Sequence, residues 1–68
     1  MNVATVARRV LAEFQEMPGM ALTPRQASKL FGLEQDVCRM VLDMLVDAAY
    51  LRETVAGQIT LGDRLAAA

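Results

Sequence analysis

Residues 31–52, FGLEQDVCRMVLDMLVDAAYLR, decide the fold of this chain. Gly32 separates one helical segment from the next, since glycine is the residue most often found just past a helix end. From Glu34 onward the apolar residues recur at three and four. Cys38, Val41, Leu42, Leu45 and Ala49 form the inner stripe of a helix predicted over 34–49. Val37, Met40 and Met44 add a second apolar stripe on a neighbouring face. Glu34 and Asp36 fall in the first turn, where negative charge suits the positive end of the helix dipole. Tyr50 and Leu51 then open an alternating segment.

Upstream, Thr23-Pro24-Arg25-Gln26 is a helix start. Thr23 caps, Pro24 suits the first helical position, and Gln26 completes a capping box. The helix predicted over 24–31 turns Ala27, Leu30 and Phe31 inward and Arg25, Ser28 and Lys29 outward. Before it, VATVARRVLAEFQEM (3–17) carries Val3, Val6, Ala7, Val10, Leu11, Phe14 and Met17 at helical spacing, and Pro18-Gly19 stops that helix. Met20-Ala21-Leu22 is left as an extended connector or minimal strand. Downstream, Tyr50–Thr54 and Gln58–Leu61 alternate like half-buried strands around Val55-Ala56-Gly57, so 50–61 reads as a hairpin. Residues 62–68 are a tail, expected to fray or to form a helical turn against a partner.

The order is helix, short strand, helix, turn, helix, hairpin, in one domain over 1–68. The fold class is mainly α with a small β hairpin. Residues 23–61 resemble the winged helix-turn-helix domain of MarR- and IclR-like bacterial regulators. LTPRQASKLFGL carries the first half of the resemblance, VCRMVLDMLVDAAYLRET the second, and QITL the returning wing strand. Residues 16–52 are also similar to short bacterial winged-helix proteins. The resemblance implies three helices with a two- or three-stranded wing, and a third helix whose first half enters the DNA major groove. Gln35, Asp36, Arg39, Met40 and Asp43 are then the groove-facing positions. Gln35 suits an adenine edge and Arg39 a guanine edge. Arg25, Ser28 and Lys29 would hold phosphates, and Arg52 would meet the flanking backbone from the wing.

Bulk properties bound the alternatives. A chain of 68 residues is near the lower limit for folding alone. One cysteine and no histidine exclude a disulfide staple and leave no tetrahedral N/S set for zinc. Core packing or self-association must supply the stability instead. Apolar residues make up 54% of the chain, enough that some must lie at the surface of so small a domain, where they mark a contact. The net charge is -1, whereas nucleic-acid modules are more often basic, so any duplex contact must rest on local charge. No glycine-rich phosphate loop, nucleophile–base pairing or ligand cluster is present, so neither an enzyme nor a cofactor site is expected. No secretion signal or membrane span is legible, and the expected location is the cytoplasm.

Several residues keep two readings. Glu34, Asp36, Asp43 and Asp47 form a solvated face, an acidic surface for a protein partner, or the flank of a groove-reading helix. Arg25, Lys29 and Arg39 are either phosphate contacts or ordinary solvated charges. Met40 and Met44 either close the core against the hairpin or stand exposed as an adaptable contact patch. Cys38 is read as a small buried hydrophobe. The first helix is the expected dimer element, with Val3, Val6 and Val10 as its candidate contacts. The functional expectation is a small DNA-binding transcriptional regulator acting on double-stranded DNA, or else a protein-interaction or dimerisation module of the same fold.

Overall fold

The computed structural model describes residues 2–62. Its elements are α1 (Val3–Glu16), β1 (Ala21–Leu22), α2 (Pro24–Phe31), α3 (Gln35–Asp47), β2 (Leu51–Glu53) and β3 (Ile59–Leu61). The three strands form one antiparallel sheet in the order β1-β3-β2. The molecule is therefore mainly helical, with a small three-stranded sheet. The short connector before α2 is a genuine strand, with Ala21 opposite Thr60 and Leu22 opposite Ile59. The Thr60 hydroxyl fixes that register by donating to the Met20 carbonyl at 2.9 Å.

Local chemistry sets the helix starts. The Asn2 side chain accepts from the amides of Ala4 and Thr5, which satisfies two of the amides that α1 leaves without partners. Thr23 and Gln26 form the reciprocal capping box at the start of α2, at 3.2 and 2.9 Å. Glu34 precedes α3 and gives it no side-chain cap.

The helix ends explain one difference from the sequence reading. Past α2, Gly32 takes a left-handed conformation, φ 67°, and the Leu33 amide donates back to the Ser28 carbonyl. The end of α3 repeats this geometry with alanine. Ala49 lies at φ 68°, its amide donates to Val46 and that of Tyr50 donates to Leu45. The helix expected through Ala49 thus stops at Asp47. Ala48 and Ala49 favour helix locally, but the chain must reverse here for Leu51 to pair with Leu61.

Ala7, Val10 and Phe14 of α1, Ala27 of α2, Cys38, Val41, Leu42 and Leu45 of α3, and Leu51 and Ile59 of the sheet make one core. Phe14 and Phe31 meet edge to face, centroids 6.2 Å apart, which ties α1 to α2. The Cys38 thiol points to the Pro24 carbonyl at 3.8 Å, and burial pushes its pKa up. The hairpin turn closes through the Gly57 amide to the Thr54 carbonyl and the Thr54 amide to the Gln58 carbonyl.

Four expectations of facing are corrected. Ser28 points inward, Leu30 and Met17 point out, and Val10 belongs to the core rather than to a free contact face. Of the expected tail, Gly62 is buried and the Gly62 amide donates to the Tyr50 carbonyl at 2.8 Å; residues 63–68 lie outside the described residues.

Candidate nucleic-acid interface

The starts of α2 and α3 converge on one side of the molecule. Thr23, Pro24 and Arg25 from the first, and Gln35, Asp36 and Arg39 from the second, line an open concavity of about 400 Å³. The geometry follows from the core. Ala27 is small and fully buried, which lets α2 approach α3 closely, and the Cys38 thiol reaches the first turn of α2. With the inner stripe of α3 fixed by Cys38, Val41, Leu42 and Leu45, the residues at Gln35, Asp36, Arg39 and Asp43 must face solvent.

Three of the six residues assigned to DNA from the sequence, Arg25, Gln35 and Arg39, therefore come together. Lys29 and Arg52 are exposed but lie elsewhere, on the last turn of α2 and on β2. Ser28 is corrected. It is only 7% exposed, and its hydroxyl donates to the Leu33 carbonyl at 2.5 Å, so it holds the α2–α3 turn and has no donor to spare for a phosphate.

Arg39 is not free within this face. Its guanidinium sits 3.4 Å from the Asp43 carboxylate, one helical turn on, with both side chains 58% exposed. A pair that open to water contributes about 0.3–0.5 kcal/mol. Asp36, which shares the concavity with both arginines, makes no ion pair and accepts no side-chain hydrogen bond among the described residues.

Along α3 the outward face continues as Met40, Asp43, Met44 and Asp47. Met40 and Met44 are 44% and 45% exposed, so they leave the core to Leu42 and Leu45 and stand one turn apart in solvent. On α1, Val3 and Val6 are half-buried against the core, and only their outer edges reach the surface. Val55 at the hairpin tip is fully exposed and apolar.

Among the described residues no group of three acidic, cysteine or histidine side chains gathers around a metal-sized space. No helix among them is long and apolar enough to cross a membrane. No family model matches the chain, and neither a curated protein nor a solved structure matches it.

Proposed function

We propose that the chain is a winged helix-turn-helix module that binds double-stranded DNA and acts as a small transcriptional regulator, with α3 entering the major groove and the β2–β3 hairpin as the wing. The observation that carries this reading is the gathering of Arg25, Gln35 and Arg39 around one open concavity at the α2 and α3 starts. Arginine and glutamine are the side chains that read guanine and adenine edges bidentately. A concave wall from two helices suits a phosphate strand beside a groove. Lys29 and Arg52 lie outside the concavity and would add backbone contacts.

The test is binding to random duplex DNA as a function of salt. Phosphate contacts from Arg25, Lys29 and Arg52 would give a log–log slope of about -2.7, so affinity would fall roughly 40-fold between about 50 and 200 mM salt. Arg25→Ala lowers the slope by about 0.9, and Arg39→Ala lowers affinity for a guanine-containing site with the slope kept. An absence of binding at about 50 mM salt refutes the reading.

One observation favours a second reading, a protein-interaction or dimerisation module of the same fold. Met40 and Met44 expose thioether side chains side by side on α3, which suits an adaptable apolar contact. Sedimentation of the wild type and of Met40→Ser/Met44→Ser separates the two. A concentration-dependent dimer lost in the double variant, without salt-sensitive DNA binding, selects the second.

A further inference from the structure

We infer that Asp36 is a base-reading residue that makes the site dependent on a cytosine beside the guanine taken by Arg39; this rests on the DNA reading above. Asp36 lines the concavity between Gln35 and Arg39, on the solvent face of the first turn of α3. Its carboxylate has two arginines for neighbours in that concavity, yet Arg39 pairs with Asp43, and Asp36 keeps its acceptors free. A free carboxylate offers acceptors only. In the major groove guanine presents N7 and O6, both acceptors, and thymine presents O4 and a methyl group. Adenine has an amino group with the N7 acceptor beside it. Cytosine alone offers an amino donor with no neighbouring groove acceptor on the same base. A carboxylate at Asp36 therefore gains a hydrogen bond at cytosine, gains one at adenine only against the neighbouring N7, and is repelled by guanine, by thymine and by the phosphates.

Asp36 and Arg39 are separated by about 4.5 Å along the helix axis, at the rise of an α-helix. Successive base pairs are about 3.4 Å apart. The two side chains are close enough together that the cytosine is a near neighbour of the guanine. The consequence for affinity is a trade. Asp36 lowers binding to duplex at large and raises the ratio of specific to non-specific binding, which suits a module with few positive charges.

The experiment is selection from a random duplex library by the wild type, Asp36→Ala, Asp36→Asn and Arg39→Ala, with random-duplex affinity measured alongside. Asp36 is exposed, so the variants keep the fold, and their circular dichroism checks this. The wild type should select guanine and cytosine close together. Asp36→Ala should lose the cytosine only, and should bind random duplex more tightly, because a charge that opposes the phosphates is gone. Asp36→Asn should exchange cytosine for adenine, which asparagine reads through N6 and N7. Arg39→Ala should lose the guanine only. A selected site that is unchanged in Asp36→Ala overturns the inference and leaves the DNA reading standing. Binding by Asp36→Ala with none by the wild type also overturns it, because Asp36 then only blocks the groove. No binding by either protein at about 50 mM salt refutes both.

Discussion

Ala49→Gly should stabilise the protein. Ala49 lies at φ 68°, where the Cβ of an L-residue crowds the following carbonyl. That conformation costs about 1–2 kcal/mol for an alanine and almost nothing for a glycine. Against this, glycine gives the unfolded chain more freedom, worth about 0.4–1 kcal/mol in the opposite sense. The Ala49 side chain is exposed, so little burial is lost with its methyl group. The backbone at this point is also held from outside. A Cβ added to Gly62 would lie 2.7 Å from the Ala49 carbonyl oxygen, so the two segments are already in close contact, and glycine at 49 gains little native freedom. The net gain is about 0.5–1 kcal/mol, which raises Tm by roughly 2–8 °C in a domain of this size.

The assay is urea unfolding followed by far-UV circular dichroism, with the slope required to stay constant. Gly32→Ala supplies the mirror experiment. Gly32 has φ 67° at the end of α2, and no atom lies within 4 Å of a Cβ placed there, so its cost is purely conformational. It should lose about what Ala49→Gly gains. If Gly32→Ala is destabilising while Ala49→Gly is neutral or worse, the left-handed end of α3 is not strained, and the argument fails.

Further outcomes follow from the same structure. Ser28→Ala should cost about 1 kcal/mol in urea unfolding, by removing the buried bond to Leu33, and should leave DNA affinity at fixed salt unchanged. A weakened affinity in the folded variant would return Ser28 to the phosphate contacts. Burial raises the Cys38 pKa above its ordinary 9.0, so the unfolded chain ionises first as pH rises. This contribution to stability is constant below about pH 9 and declines above it, and Cys38→Ala should flatten that alkaline decline in unfolding curves. Under the DNA reading, Val55→Lys puts a cation on the exposed hairpin tip and should steepen the salt slope by about 0.9; an unchanged slope removes the hairpin from the interface.

Features written in a few adjacent residues were legible from the sequence. The capping box at Thr23 and Gln26, the glycine after α2 and the hairpin around Gly57 each depend on local geometry, and the structure has all three. What failed was the facing of α2. A helix of two turns leaves its phase open, and hydrophobicity alone turns Leu30 inward. The close approach of α2 to α3 favours the small pair Ala27 and Ser28 instead, and Leu30 turns out to 60% exposure. The signal that could have been used is the carbonyl of Leu33, five residues on, which needs a donor that a serine at position 28 can supply. The end of α3 was missed for a different reason. Two alanines promise helix by propensity, and only the pairing of Leu51 with Leu61, a tertiary fact, demands the left-handed residue. On the candidate interface, Arg25, Gln35 and Arg39, which the winged-helix resemblance puts at the groove, line one concavity, but the ion pair of Arg39 with Asp43 rather than Asp36 cannot be read from spacing alone.

The acids on α3 bear unequally on the proposed function. The residues that hold the fold, Cys38, Val41, Leu42 and Leu45, share no position with Gln35, Asp36, Arg39, Met40, Asp43, Met44 and Asp47 on the outer face. Exposed substitutions of this kind change stability by about 0.5 kcal/mol or less, so the outer face can answer to a partner without disturbing the core. Asp43 is the acid that looks most damaging to the proposed DNA contact, because it pairs with Arg39, the arginine which that reading puts on a base. Yet that pair is worth about 0.3–0.5 kcal/mol in the open, against about 1–3 kcal/mol for a bidentate arginine–guanine contact. Under the DNA reading a guanine would therefore take Arg39 from Asp43 at small cost. Asp36 has no such partner to release. Its charge must either meet a donor in the groove or oppose the phosphates, so the sign of its effect on affinity depends on the base it faces.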